Sequence, residues 1–341
     1  MPGRELMKAL VFESPKKMQL KDLAVPEPDP REVLVEIKAA GLCGTDVHIY
    51  EGDFPANYPL IPGHEFAGNV VAVGSEVKDV PTGTRVAVNP NVPCGTCPLC
   101  RAHREHLCRE LTAYGVHLNG GLAEYAAVKA ENVHPIGRLS FEEGALIEPL
   151  SCVLHGMDLL RMLPGDEVLI FGAGPMGLLL CQAAKLSGAA RVSLTDLSEE
   201  KLELAKSLGV DDAFVAKDQV QRRIRRGHPD GFDVVIDATG VPRVVQELPK
   251  YVRDGGKLLY FGVCPKEATI SLSPYDVYRR ELHIFGTFSL LADFVPAIRL
   301  VENGRIDVKP IISHRFSLKE SREAMNLMIT PKHRKIIISK V

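Results

Sequence analysis

The run Glu167-Val-Leu-Ile-Phe171 constrains this chain most, because Gly172-Ala-Gly174-Pro175-Met176-Gly177 and an apolar stretch from Leu178 follow it at once. A continuous apolar pentapeptide reads as a strand buried on both faces. The first glycine permits a tight turn, the second lets backbone approach a pyrophosphate, and the third lets helix and strand pack closely. A helix starting there offers free N–H groups and a partial positive charge to an anion. Further apolar runs at residues 191–195, 233–237, 257–261 and 282–285 alternate with helix-like stretches, the pattern of parallel βαβ units. The segment is expected to be a doubly wound α/β dinucleotide-binding domain. Asp196, nineteen residues past Gly177, closes the second of these strands. A carboxylate there accepts from a ribose 2′-hydroxyl and repels a 2′-phosphate, which favours NAD over NADP. The alternative is that it caps a helix starting near Ser198, and the two roles can coexist. Lys201 lies within reach of the same ribose.

With 341 residues, the chain has room for two domains. Residues 8 to about 150 read as β-rich, with short runs such as 32–37 and 70–73 punctuated by Gly and Pro. After about Phe288 come helix-like segments at 292–303 and 318–328 and a last strand, Lys335–Ser339. This tail is too short to fold alone and is expected to pack back onto the N-terminal region. Residues 1–6 precede the first strand-like run and read as a dispensable extension. A net charge of −2 argues against a nucleic-acid surface or a polybasic membrane patch. The basic run from Arg222 to Arg226 reads as a solvated helix face around Ile224. No apolar run approaches the roughly 20 residues that span a bilayer, and the N-terminus lacks a hydrophobic signal core, so a cytoplasmic protein is expected.

Four of the eight cysteines, Cys94, Cys97, Cys100 and Cys108, crowd into fifteen residues. Four thiolates at this spacing close a tetrahedral shell around a structural zinc and leave no position for chemistry. A second, dispersed set comprises Cys43, Thr45, Asp46, His48, His64, Glu65 and Glu148. Catalytic zinc takes three ligands of the Cys, His and carboxylate types. Each of these residues also has an ordinary structural reading, and spacing alone does not choose between them.

Gly63-His64-Glu65-x2-Gly68-x5-Gly74-x2-Val77 resembles the signature of the zinc-dependent medium-chain dehydrogenases/reductases. Cys43-Gly-Thr45-Asp46, the four-cysteine loop and the Gly172–Gly177 fingerprint follow in that family's order. The resemblance covers essentially residues 8–341. It implies a GroES-like β-rich catalytic domain (residues 1–151 and 289–341) and a Rossmann NAD-binding domain (residues 152–288). It implies NAD and two zinc ions per chain, one catalytic and one structural. Carried over, Cys43, His64 and Glu65 are the catalytic zinc ligands, with Glu148 an alternating fourth ligand or the holder of a water on the metal. Thr45 sits against the substrate oxygen, His48 passes the proton to solvent through the ribose hydroxyl, and Asp46 hydrogen-bonds His64. Val263 and Thr287 join the cofactor residues.

Glu65, the Glu148-Pro-Leu-Ser151 run and the four-cysteine lobe resemble the polyol (sorbitol, xylitol, arabinitol) branch and its threonine-dehydrogenase neighbours. The Glu-Pro-Leu-Ser run tilts the reading toward polyols. Sorbitol dehydrogenases often carry an Arg-Tyr pair where this chain has Gly286-Thr287-Phe288, which argues against sorbitol itself. The expected activity is oxidation of a secondary alcohol to a ketone, with threonine-type or general alcohol/aldehyde dehydrogenase activity as the alternative. Tyr50, Phe54, Tyr114, Phe288 and Leu290 are the side chains expected to shape the pocket. The partner is a small-molecule alcohol, and the exposed edge near 282–285 suggests a homodimer or homotetramer.

Overall fold

In the computed structural model, which describes residues 6–217, 219–330 and 333–339, Glu167–Phe171 lies inside a six-stranded, all-parallel sheet. The strand order is Asp212–Val215, Arg191–Asp196, Glu167–Phe171, Phe232–Asp237, Val252–Tyr260, His283–Gly286. Val168, Leu169 and Ile170, and likewise Val234, Val235 and Ile236, are fully buried, which is why these strands are apolar without alternation. The order reverses between Glu167–Phe171 and Phe232–Asp237. At such a switch point the carboxyl ends of the two strands open a crevice suited to a ligand. The strand Asp212–Val215 was not expected. It is a four-residue edge strand, half-buried throughout and opened by an aspartate, so it presents no apolar run.

A seven-stranded sheet carries the path Ile312–Phe316, Lys335–Ser339, Glu32–Leu42, Glu65–Val73, Arg85–Val88, Val133–Pro135, with Tyr125–Lys129 also paired to Glu32–Leu42. Lys335–Ser339 runs antiparallel to Glu32–Leu42, with Ile336 opposite Leu42 and Ile337 opposite Gly41. The C-terminal tail thus completes a sheet begun three hundred residues earlier. Its core gathers Phe12, Val35, Phe66, Val86, Leu122, Ile336 and Ile338. The ribbon Leu6–Ser14 and Lys17–Ala24 packs on it as an antiparallel pair. The first strand begins at Leu6; residues 1–5 of the N-terminal extension lie outside the described residues.

The chain divides into two compact units, Met1–Ser151 with Leu291–Gly304 and Val308–Val341, and Cys152–Leu290 with Arg305–Asp307. Among the described residues no helix is long and apolar enough to cross a membrane. The helix Val220–Gly227 buries Ile224 and leaves Arg222, Arg223, Arg225 and Arg226 exposed.

Candidate active site

Cys43 ends the strand Glu32–Leu42 and caps the helix Gly44–Glu51. Its backbone N–H donates to Asp46 Oδ2 at 2.9 Å, while Gly63 N–H donates to Asp46 Oδ1 at 3.1 Å. Asp46 is fully buried. Burial pushes its pKa up, against the pull of His64 and these two amides. The sequence reading gave Asp46 to the His64 imidazole. The structure instead leaves 3.8 Å between Asp46 Oδ1 and His64 Nδ1, too far for a hydrogen bond. Asp46 acts on the backbone. It pins the loops that carry Cys43 and His64 to each other.

Ligand atoms of Cys43, His64 and Glu65 lie within 4.8 Å of one another. His64 and Glu65 are buried and Cys43 is half-buried. A thiolate, an imidazole and a carboxylate so close form a donor set of the catalytic zinc type. The orphaned His64 Nδ1 and the buried acids also suit a cation better than an apolar filling. Burial disfavours a protonated His64, but Cys43, Asp46 and Glu148 outweigh it and hold the pKa well above the ordinary histidine value. Glu148 lies in the first turn of the helix Ile147–Leu160, is buried, and acts electrostatically on both His64 and Lys335. Thr45 Oγ1 is 3.7 Å from Cys43 Sγ, and His48, one helical turn on, is exposed.

Two residues of this site escaped the sequence reading. Lys335 Nζ lies 2.7 Å from each Glu65 oxygen. Gly41 faces Glu65 across the strands, and a Cβ there would fall 2.1 Å from Glu65 Oε2. Two residues given to the pocket are occupied elsewhere. Tyr114 is buried and its hydroxyl accepts from Lys129 N–H at 2.9 Å, while the Tyr50 hydroxyl donates to Lys16 O at 3.0 Å. Phe54 is half-buried against the sheet core, Phe288 is exposed and Leu290 is buried.

The cysteine lobe is tight. Sulfur separations are 3.5 Å for Cys97–Cys100, 3.9 Å for Cys97–Cys108 and 4.0 Å for Cys94–Cys100. Tetrahedral zinc with Zn–S bonds near 2.3 Å requires about 3.8 Å between sulfurs. N–H donation from Thr96 and Cys97 lowers the Cys94 thiol to about 6, whereas burial and its sulfur neighbours push Cys100 up to about 12. Backbone N–H groups of Cys100 and Arg109 lower the Cys97 thiol as well, and a dication offsets the resistance to further negative charge at Cys100.

In the parallel-sheet unit, Gly172 has φ +104 and Gly177 sits where a Cβ would lie 1.8 Å from Gly172 O. Only glycine lets the helix Pro175–Leu186 meet the turn. Gly174 caps that helix with open space on its Cβ side. Pro175 and Met176 form the first turn. Asp196 is half-buried; its Oδ2 accepts from Ala173 N–H at 2.7 Å and its Oδ1 from Ser198 N–H at 2.8 Å. The cap of the helix Glu199–Ser207 is Ser198, not Asp196 as the alternative reading had it, and each Asp196 oxygen keeps a lone pair. Lys201 is held in the first turn of Glu199–Ser207 through Ser198 Oγ. Val263 is 79% exposed and Thr287 Oγ1 is buried without a partner. The reading missed the turn after Phe232–Asp237, where buried Asp237 accepts from Thr239 and Gly240 amides. Its signal was Asp237-x-Thr239-Gly240 directly after a strand.

Residues 29–138 match the alcohol dehydrogenase GroES-like domain, and residues 175–303 match the zinc-binding dehydrogenase domain. The chain is 38% identical to D-arabinitol dehydrogenase 1 of Uromyces fabae, over 97% of each chain. It is 39% identical to D-altritol 5-dehydrogenase of Agrobacterium fabrum, over 92% of this chain and 94% of that protein. The chain belongs to the zinc-dependent medium-chain dehydrogenases/reductases. Within that family it falls in the polyol dehydrogenase-like branch, and it is an alcohol oxidoreductase. A zinc-binding dehydrogenase of Sinorhizobium meliloti, solved bound to NADP, superposes with a TM-score of 0.95 at 36% identity, over 98% of this chain and all of that one. The seven-stranded sheet is the GroES-like part and the parallel sheet the Rossmann-like part of this medium-chain dehydrogenase. Zinc and a nicotinamide adenine dinucleotide are the cofactors of such a chain.

Proposed function

We propose that this dehydrogenase oxidises a secondary alcohol of a polyol or sugar alcohol to the ketone and passes the hydride to NAD. The convergence of Cys43, His64 and Glu65 within 4.8 Å, with buried Glu148 acting on the same group, carries the reading. Cys43, His64 and Glu65 would hold the catalytic metal, with Glu148 as the exchanging ligand, and the four-cysteine lobe would hold the structural one. When bound, zinc supplies a Lewis acid for the substrate hydroxyl, and NAD supplies the hydride acceptor.

The chain does the rest. Thr45, beside Cys43, takes the hydroxyl proton as it releases its own, through the ribose hydroxyl, toward His48. His48, one turn away on the same helix face and exposed, passes it to solvent. Asp46 keeps the two ligand loops in register. Gly174 leaves the pyrophosphate side of the helix open, Asp196 accepts from the ribose, and Lys201, Val263 and Thr287 complete the cofactor contacts. The names of the arabinitol and altritol dehydrogenases support a polyol.

The strand His283–Gly286 is an edge of its sheet, and the helix Pro274–Arg279 before it in the chain exposes Tyr275 and Tyr278. An open edge and exposed aromatic side chains support a homodimer or higher homo-oligomer. The test of the function is NADH formation with a panel of pentitols, hexitols, L-threonine and simple alcohols. Polyols should give the highest kcat/KM. A clear preference for L-threonine would replace the substrate class with an amino-alcohol.

A further inference from the structure

Lys335 opens the final strand and is 3% exposed. Its ammonium makes three contacts, 2.7 Å to Glu65 Oε1, 2.7 Å to Glu65 Oε2 and 3.1 Å to Leu42 O. These use all three of its donors. Lysine is almost never buried unless paired, and this one is paired with a single carboxylate on both oxygens. Glu65 itself is 1% exposed and lies over Gly41, where any side chain would collide with it at 2.1 Å. A cation from the last strand and a notch in a middle strand therefore fix one carboxylate. That same carboxylate has an oxygen within 4.8 Å of the Cys43 and His64 ligand atoms.

Charge makes the arrangement consequential. Cys43, Glu65 and Glu148 as anions bring three negative charges to a dication, with His64 neutral. Lys335 supplies the missing positive charge. A carboxylate whose two oxygens already face an ammonium is also a poorer donor to a metal than a free one.

We propose that Lys335 is a positioning residue of the metal centre: it shares the Glu65 carboxylate with the metal, keeping Glu65 a weak and displaceable ligand that Glu148 can replace. The inference rests on the reading of Cys43, His64 and Glu65 as the catalytic zinc set. Lys335→Met removes the cation at nearly constant volume, so Glu65 turns its whole charge onto the metal. Chelator-driven release of the catalytic-site metal should then slow by about tenfold, a change equivalent to about 1.4 kcal/mol. In the protein with cobalt(II) exchanged into that site, the visible absorption should shift, because a permanent carboxylate changes the coordination.

Lys335→Arg should return the release rate and the spectrum toward wild type. If Lys335→Met does not fold, Gly41→Ala tests the same geometry from the opposite side. Its Cβ pushes Glu65 away, so cobalt absorption should change and metal release should quicken. Release and absorption identical to wild type in Lys335→Met, or faster release there, would overturn the proposal. These outcomes of Lys335→Met differ from failure of the underlying reading of Glu65 as a ligand, which unchanged cobalt absorption in Gly41→Ala would signal and which would take the proposal with it. A wild-type protein holding one metal per chain, only that of the cysteine lobe, would remove the zinc set itself. A wild type with two metals and an unresponsive Lys335→Met removes only the role given to Lys335.

Discussion

Replacing Asp196 tests the assignment of the cofactor. Its carboxylate is fixed by Ala173 N–H at 2.7 Å and Ser198 N–H at 2.8 Å, so it cannot swing away from an incoming 2′-phosphate without giving up both. A 2′-phosphate carrying about 1.5–2 negative charges at about 5 Å would meet repulsion of roughly 0.8 kcal/mol per unit charge in water and about 3 at the effective dielectric near a protein surface. Asp196 is half-buried, which places the penalty in the lower part of that range, about 2–3 kcal/mol. NAD should therefore be favoured over NADP by roughly 30- to 150-fold in kcat/KM. Asp196→Asn removes the charge and keeps one acceptor oxygen, so the preference should collapse toward parity while NAD binding weakens moderately. Asp196→Ser, which also abandons the loop amides, should narrow the preference and raise the KM for NAD further. The assay is initial-rate kinetics with both dinucleotides against one alcohol at fixed pH. A wild-type enzyme that prefers NADP would refute the reasoning. So would an unchanged ratio in Asp196→Asn.

Other substitutions probe separate parts of the account. Metal analysis should find close to two zincs per chain, and Cys97→Ser should lose one of them together with several degrees of Tm; two zincs retained in that variant would show the lobe to be misread. His48→Ala should lose about 10²–10⁴-fold at neutral pH and recover as pH rises, because hydroxide replaces a relay that only carries the proton away. A pH–rate profile checks this, and a deficit constant at every pH would contradict it. Gly177→Ala places a Cβ 1.8 Å from Gly172 O and should cost about 1–3 kcal/mol of stability along with dinucleotide affinity, read by thermal unfolding and NADH fluorescence titration.

What could be read from the chain and what could not divide along physical lines. The dinucleotide turn was legible because backbone sterics at Gly172 and Gly177 admit no other residue, and such demands are local. The cysteine lobe was legible because its four donors are neighbours in sequence. The strands Glu167–Phe171 and Phe232–Asp237 showed themselves because burial on both faces leaves no polar positions. Lys335 stayed hidden for the opposite reason. Its partner Glu65 lies 270 residues away, and only the antiparallel register of Lys335–Ser339 on Glu32–Leu42 brings them together. Alone, a lysine opening a strand reads as a solvated end. Gly41 was silent too, since its emptiness matters only once Glu65 lies across it. Asp46 was misassigned because sequence order shows which residues are near, but not whether a carboxylate turns to a side chain or to two backbone amides. Tyr114 misled in the same way, an aromatic in a loop that proves to be core.

The most direct test of the central claim is Cys43→Ser, assayed for zinc content and for polyol-dependent NADH formation beside wild type. Cys43 joins His64 and Glu65 in one donor set, while the cysteine lobe is assembled from other residues entirely. The account predicts a folded protein with one zinc per chain and no measurable turnover. A Cys43→Ser enzyme that has lost that zinc and still oxidises the polyol would contradict it.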